Sequence, residues 1–375
     1  MTIRSLAIIE STLREGEQFA AAHFTPAQRQ QIARAVDDFG VEYIEVTTPI
    51  ASPMAERSCR DIAALPLRAT VLTHTRCVID DVRLAIECGV GGVDLLFGTS
   101  AWLRTHSHGL QIEEIIETAA ECIATVRLAG REVRFSCEDS FRTDPDDVLR
   151  IHRAIAALGV DRVGIADTVG IATPSQVTDL IGRLRAQVDC DIEFHAHNDT
   201  GCAVANALAA LEAGATHIDT TVLGIGERNG IVPLSGLIAR LHTVQPDLVD
   251  HYALERLASL DALVAGILDV DIPFTAPITA PFAFHHKAGM HTKAVLGDPR
   301  SYEPFAPERF GIERRLLVGH QLAGRHAVRE RAAALGITGD DEWLRRVTSD
   351  VKRRAGERPL EDDEVDALLR ASAEV

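Results

Sequence analysis

Two histidines two positions apart, His195 and His197 in the segment E-F-H-A-H-N-D, carry the strongest indication of chemistry in this sequence. Residues two apart on an extended strand point the same way, so both imidazoles could reach one metal ion. Two histidines and a carboxylate form a common divalent-metal site, and Glu15 is the candidate carboxylate. The alternative is a hydrogen-bonded core His195 with a surface His197, and the H-x-H pattern alone leaves that open.

Two further segments carry polar side chains that could bind a small anionic substrate. S-T-L-R-E-G-E-Q contains Arg14, whose guanidinium suits a carboxylate or an oxyanion, although a solvated charged loop would show the same pattern. In R-F-S-C-E-D, alternation puts Arg134, Ser136 and Glu138 on one face of a strand. Three polar groups on an inward face are costly unless they bind something, so a ligand site is favoured over a buried Arg–Glu pair.

The elements that must position these residues alternate between short β-branched segments and longer amphipathic ones. This alternation predicts a (β/α)8 TIM barrel, with a doubly wound open sheet as the alternative. The polar residues follow strand after strand, and only a closed barrel brings all those strand ends to one face, so the barrel is favoured. The predicted strands are Leu6–Ile9, Tyr43–Val46, Thr70–Thr73, Gly92–Phe97, Val133–Ser136, Arg162–Ala166, Ile192–His195 and His217–Val222.

Helix boundaries are marked by capping residues. Thr25 and Thr173 each precede a proline, which is typical of an N-cap followed by a first-turn proline. Glycines follow four helical segments, where a left-handed C-cap is expected, at Gly40, Gly89, Gly159 and Gly214.

The character of the chain changes after Leu241, where prolines recur and a basic cluster, F-H-H-K-A-G-M-H, appears. We predict a barrel domain over residues 1–272, a proline-rich linker or lid subdomain over 273–323 and a helical subdomain over 324–375. The segment L-G-I-G-E-R-N-G follows the last predicted strand, where barrels often bind phosphate. Gly224 and Gly226 are therefore candidate contacts for a nucleotide-bearing cofactor such as CoA.

Composition excludes several classes of partner. A formal charge of −17 argues against nucleic acid, which calls for a basic face, and against an anionic membrane surface. The seven cysteines are scattered without C-x-x-C pairs, which is typical of reduced thiols, and no long apolar segment marks a secretory leader. On these grounds we predict a cytoplasmic protein.

Taken together, the motifs S-T-L-R-E-G-x-Q, H-x-H-N-D, G-x-G-E-R-x-G and H-K-A-G-x-H resemble those of the Claisen-condensing barrel enzymes called DRE-TIM metallolyases. The resemblance extends over essentially the whole chain. Its members include homocitrate, isopropylmalate and citramalate synthases and hydroxymethylglutaryl-CoA lyase. Segments such as E-V-T-T-P-I-A-S-P and D-L-L-F-G-T-S are most similar to bacterial homocitrate synthases. One departure is Glu10, because the family motif opens with Asp.

This resemblance implies roles for individual residues. Glu15, His195 and His197 would bind one divalent ion (Mg, Mn, Zn or Co), and Arg14 would polarise the 2-oxo group. His291, assisted by Glu138 and Tyr302, would act on the methyl group of acetyl-CoA. The 2-oxo acid would be held by Gln18, His74, Arg134, Ser136 and Thr168, with Asp94 nearby.

The implied reaction joins acetyl-CoA to 2-oxoglutarate, giving homocitrate and CoA for lysine biosynthesis through 2-aminoadipate. Isopropylmalate or citramalate synthesis from another 2-oxo acid and a hydroxymethylglutaryl-CoA-type lyase are the alternatives. His74 favours 2-oxoglutarate, because a second carboxylate needs a cationic or donating partner. The resemblance further implies a homodimer whose C-terminal extension completes the partner's site, and lysine as a feedback inhibitor.

Overall fold

Eight parallel strands follow one another around a closed barrel in the computed structural model, which describes residues 3–373. The last strand pairs with the first, with Ile9 beside Asp219, so an open sheet is excluded and the TIM-barrel prediction is confirmed. The strands are β1 (Ala7–Glu10), β2 (Tyr43–Val46), β3 (Thr70–Arg76), β4 (Gly92–Gly98), β5 (Glu132–Glu138), β6 (Arg162–Asp167), β7 (Asp191–Ala196) and β8 (His217–Thr220).

Ten helices accompany the strands among the described residues of the barrel unit. Thr25 and Thr173 both close capping boxes, and the four predicted C-cap glycines all have positive φ, between 79° and 115°. The helices are α1 (Pro26–Phe39), α2 (Pro53–Ala63), α3 (Ile79–Glu87), the short α4 (Ala101–Leu103), α5 (Ile112–Leu128), α6 (Pro145–Ala156), α7 (Pro174–Arg185), α8 (Ala203–Ala213), α9 (Leu234–Val244) and α10 (Leu257–Leu268).

The interior of the barrel is charged, whereas its outer layer is aliphatic. Phe135 and Cys137 alternate with Arg134 and Ser136 along β5, and all four are buried. Arg162 from β6 is only 2% exposed and is a member of this interior cluster. Buried charges are tolerated only when they are paired, and the inward positions of neighbouring strands supply both signs.

The chain divides into two compact units, and the second begins at Ala280. Its described residues, 280–373, form a pair of two-residue strands, β9 (His285–His286) and β10 (Arg315–Leu316), and four α-helices. These are α11 (Gly289–Gly297), α12 (Arg325–Ala334), α13 (Asp341–Arg354) and α14 (Asp362–Ala373), the last three packing around Val328, Leu344, Val347, Val351 and Leu369. The helical C-terminal region is confirmed, while the division into three domains stays a prediction. No helix among residues 3–373 has the length and apolar character needed to cross a membrane.

Arg162 is the residue at which the charge balance of the barrel can be tested. Its Nη1 lies 2.9 Å from Glu132 Oε2, its Nε lies 3.3 Å from Glu193 Oε2, and its guanidinium stacks 4.6 Å from the centre of the Tyr43 ring. Replacing Arg162 by Met removes the cation that pairs with Glu132 and leaves the fully buried Glu193 with Arg134 alone. We expect the free energy of unfolding, measured in urea, to fall by about 3–5 kcal/mol.

An exposed pair supplies the control for this measurement. Arg60 bonds Glu56 one helical turn away, and both side chains are more than a third exposed. Arg60→Ala should cost less than about 1 kcal/mol. A similarly small loss for Arg162→Met would show that the interior pairs contribute no more than surface ones.

Candidate active site

A cavity of about 510 Å³ opens where the C-terminal ends of the barrel strands meet. Its lining side chains come from the loops after β1, β2, β6, β7 and β8 and from within β3, β4, β5, β6 and β7, as expected for the catalytic face of this fold. Ten residues singled out in the sequence line it together: Arg14, Glu15, Gln18, His74, Arg134, Ser136, Glu138, Thr168, His195 and His197.

Arg14 is held in place by two carboxylates. Its Nε donates to Glu45 Oε2 at 2.7 Å and its Nη1 to Glu15 Oε2 at 2.6 Å. Ser11 also donates to Glu45 Oε2, at 2.5 Å, so the loop after β1 is fixed to β2 at this point. Burial alone would lower the pKa of Arg14, but Glu45 and Glu15 raise it above its usual value, and the guanidinium stays charged.

The histidine pair and Glu15 form a compact group of metal-ligand atoms. One ligand atom from each of Glu15, His195 and His197 lies within 4.8 Å of the others, and His197 Nε2 is 3.9 Å from Glu15 Oε1. Burial lowers the pKa of both histidines to about 4, so both imidazoles are neutral and keep a lone pair. A carboxylate with two neutral imidazoles is a donor set that fits a divalent metal.

Other residues that line the cavity offer hydrogen-bond donors to an anion. His74 Nδ1 lies 3.3 Å from Glu45 Oε1, and burial together with Arg14 lowers the pKa of His74 to about 4. His74 is therefore neutral and carries a single N–H, whereas the positive charge in this group of residues comes from Arg134. Thr168 Oγ1 accepts a hydrogen bond from the backbone N–H of Asp139 at 2.8 Å, which leaves its own proton available to a ligand.

Glu138 lies at the end of β5 in a partly desolvated position. Burial and the neighbouring Asp139 both raise the pKa of Glu138, while Arg14 opposes them. A carboxylate with a raised pKa is a stronger base than an ordinary one, which favours a role in proton transfer.

Several functional candidates were missed in the sequence because they lie inside strands. Glu45, Glu193 and Asp219 are fully buried carboxylates on β2, β7 and β8, and His195 Nδ1 lies 2.7 Å from Asp219 Oδ2. Asp94, predicted near the substrate, does not line the cavity but is buried, and burial raises its pKa to about 8. The alternation of side chains along a strand could have identified them, because each of these acids occupies an inward-facing position of its strand.

The glycine-rich loop after β8 packs against the metal-ligand group. A side chain at Gly226 would meet Glu15 Oε1 at 2.8 Å, and the backbone N–H of Glu227 donates to the same oxygen at 2.9 Å. Gly224 adopts φ +71° against Pro233. Neither glycine lines the cavity, and their contact with CoA stays a prediction.

The remaining two predicted residues lie in the second unit. His291 and Tyr302 stack there with ring centres 4.0 Å apart. Beside them Glu303 accepts from His286 Nε2 at 2.9 Å and forms a two-pronged pair with Arg314, at 2.6 Å for each contact. This network fixes the segment that carries Tyr302.

Comparisons with known proteins cover both units. A family model described as HMGL-like matches residues 5–264, and one described as homocitrate synthase post-HMGL domain-like matches residues 278–359. The mitochondrial homocitrate synthase of Schizosaccharomyces pombe is 52% identical over 369 residues, 98% of this chain and 88% of that protein. The chain belongs to the homocitrate synthase family. A homocitrate synthase of Saccharolobus islandicus is 38% identical, over 92% of this chain and 76% of that protein.

Solved structures support the barrel alone. Hydroxymethylglutaryl-CoA lyase from Pseudomonas aeruginosa superposes with a TM-score of 0.64 at 20% sequence identity, covering 78% of this chain and 98% of that one. At this identity the likeness shows the fold and does not distinguish a synthase of this family from a lyase.

The predicted cytoplasmic location is contradicted by members of the homocitrate synthase family. Relatives from Schizosaccharomyces pombe, Saccharomyces cerevisiae and Penicillium rubens are named mitochondrial, although a second Saccharomyces cerevisiae relative is named a cytosolic isozyme. The prediction relied on unpaired cysteines and on the lack of an apolar leader. Both observations distinguish oxidising from reducing compartments and do not separate one reducing compartment from another.

Proposed function

We propose that this chain condenses acetyl-CoA with 2-oxoglutarate, releasing homocitrate and CoA in a route to lysine through 2-aminoadipate. Relatives about half identical over nearly the whole chain carry the name homocitrate synthase. The observation that carries the proposal is the sharing of one cavity by the Glu15–His195–His197 group, Arg14 and His74. A 2-oxo diacid needs donors for two carboxylates and a 2-oxo group, and the side chains gathered in this cavity include a metal-ligand group, a guanidinium and an imidazole that could serve them.

In this proposal Glu15, His195 and His197 hold one divalent ion, for which Mg, Mn, Zn and Co are all compatible. When bound, the ion supplies Lewis-acid polarisation of the 2-oxo group. Arg14, fixed by Glu45, adds positive charge where the carbonyl oxygen becomes an alkoxide. The substrate carboxylates take hydrogen bonds from the cavity donors Gln18, His74, Arg134, Ser136 and Thr168.

The proposed reaction also requires a proton to be removed from the methyl group of acetyl-CoA. The half-buried Glu138 is the acid or base on the barrel side, and His291 with Tyr302 acts on the acetyl group. The resulting enolate attacks the carbonyl carbon, and water then cleaves the thioester to release CoA. Gly224 and Gly226 are the proposed backbone contacts to CoA.

His291 and Tyr302 are proposed to act in the site of a partner subunit. The segment 273–323 would then be a lid over the partner's barrel in a homodimer, with 324–375 as its helical support. Exposed apolar side chains in this unit, including Phe282, Met290 and Leu322, support a surface that associates with another chain.

The first test is release of CoA from acetyl-CoA with 2-oxoglutarate, 2-oxoisovalerate or pyruvate, followed with a thiol reagent. We expect release with 2-oxoglutarate only, and its loss when a chelator is added. Preference for one of the other acids would indicate isopropylmalate or citramalate synthesis. Cleavage of hydroxymethylglutaryl-CoA in place of condensation would support a lyase.

A His74→Leu variant tests the proposed role of His74 in substrate binding. It removes the donor proposed for the distal carboxylate and leaves the metal ligands intact. We expect the KM for 2-oxoglutarate to rise at least about tenfold with little change in the KM for acetyl-CoA, since one lost hydrogen bond to a charged group is worth about 1.5–3 kcal/mol. Equal changes in both KM values would remove His74 from the proposed role.

Shared active sites can be tested by mixing two inactive chains. Glu15→Ala damages the barrel side and His291→Ala the second unit, so a heterodimer of the two would contain one intact site. Co-expression should restore about a quarter of wild-type activity, because half of random dimers are mixed and half of their sites are intact. His285→Ala, in the same segment as His291, should remain active alone. No recovery in a purified heterodimer would exclude sharing.

We also propose that lysine inhibits by binding in the 2-oxoglutarate pocket. The support is electrostatic, because the buried acids Glu45 and Asp94 lie within 4.0 Å of the cavity residue Arg134 and would attract an ammonium group although neither lines the cavity. Inhibition should therefore be competitive against 2-oxoglutarate and should weaken in Asp94→Asn. Competition against acetyl-CoA alone would place lysine elsewhere.

A further inference from the structure

Asp219 is a fully buried carboxylate on β8 whose position is set by strand pairing. Glu193 of β7 pairs with His217 of β8, so two residues further along both strands His195 lies beside Asp219. His195 Nδ1 and Asp219 Oδ2 are 2.7 Å apart, and Asp219 is 0% exposed. A contact of this length between an imidazole nitrogen and a carboxyl oxygen is a short hydrogen bond, and its direction is set by which of the two groups holds the proton.

We propose that Asp219 is a positioning residue that fixes the tautomer and ring orientation of His195, a role that relies on the metal site proposed above. A neutral imidazole has one N–H. When Nδ1 donates that proton to Asp219, Nε2 retains the lone pair that can bind a metal. The hydrogen bond also stops the ring from rotating about its Cβ–Cγ bond, so Nε2 is held toward Glu15 and His197.

The surroundings of Asp219 support orientation of His195 over a purely structural ion pair. The nearest atom of Arg134, Nη2, is 4.0 Å from the same Oδ2, beyond hydrogen-bond distance, and Asp219 Oδ1 has no partner among residues 3–373. His195 is therefore the group that Asp219 contacts most closely. Within residues 3–373, Nδ1 of His197 has no hydrogen-bond partner, so of the two histidines only His195 is oriented by a carboxylate.

The test measures metal binding without turnover. Mn²⁺ is titrated into the metal-free full-length protein by calorimetry, and free Mn²⁺ is followed by electron paramagnetic resonance. Asp219→Ala should weaken Mn²⁺ binding about 10–100-fold, because Nδ1 loses its acceptor. Asp219→Asn should bind with intermediate affinity, because an amide oxygen still accepts from Nδ1. The Asn variant preserves the side-chain volume and keeps the test valid if the Ala variant does not fold.

Asp261→Asn is the matched control. Asp261 is another buried acid of the barrel unit, 1% exposed, and its Oδ2 accepts from Thr279 Oγ1 at 2.5 Å. It should bind Mn²⁺ with wild-type affinity, and an equal weakening there would overturn the specific role of Asp219. Wild-type affinity in folded Asp219→Asn and Asp219→Ala would overturn it as well, while leaving the metal site intact. Failure of the wild-type protein to bind Mn²⁺ would instead remove the metal site itself.

Discussion

Four carboxylates, those of Glu45, Asp94, Glu193 and Asp219, lie within 4.0 Å of the guanidinium of Arg134 at the centre of the barrel. Desolvating so many charges is tolerated only if each is compensated by its neighbours, and even with Arg14 beside Glu45 and Arg162 beside Asp94 and Glu193, three arginines face four acids. The imbalance explains why burial raises the pKa of Asp94 and Asp219. It also makes the cavity above a favourable place for added positive charge.

The same cluster links the fold to the site through shared side chains. Glu45 accepts from Ser11 and Arg14 through one oxygen, and its other oxygen faces His74 and Arg134. A displacement of Glu45 would therefore disturb both the charged Arg14 and the neutral His74. Such shared contacts hold reacting groups in place before a substrate arrives, which lowers the reorganisation needed in the transition state.

The parts of this molecule that local chemistry determines were predictable from sequence. Capping residues such as Thr25 and Gly40 mark helix ends whatever the tertiary context, and polar residues after successive strands indicated the catalytic face. Glu45 and Asp219 were missed because a strand with one acid among apolar residues is equally typical of an exposed edge. Only the closed barrel shows that those positions face inward. The cellular compartment could not be predicted, because cysteine usage indicates whether the environment is reducing or oxidising and does not identify the compartment.

Glu10 shows how a departure from a motif can be compatible with the site. Its carboxylate does not line the cavity; it accepts from the backbone N–H and hydroxyl of Thr12 and from the backbone N–H of Val222. These contacts connect the end of β1 to the loop that follows β8, where the barrel closes. Burial raises the pKa of Glu10 to about 7 even though all three donors oppose that shift. Glu10 thus stabilises the closure of the barrel and does not reach the cavity. The orientation of Arg14 and Glu15 is set by Glu45 and by the loop after β8, so it does not depend on whether position 10 carries Glu or the shorter Asp.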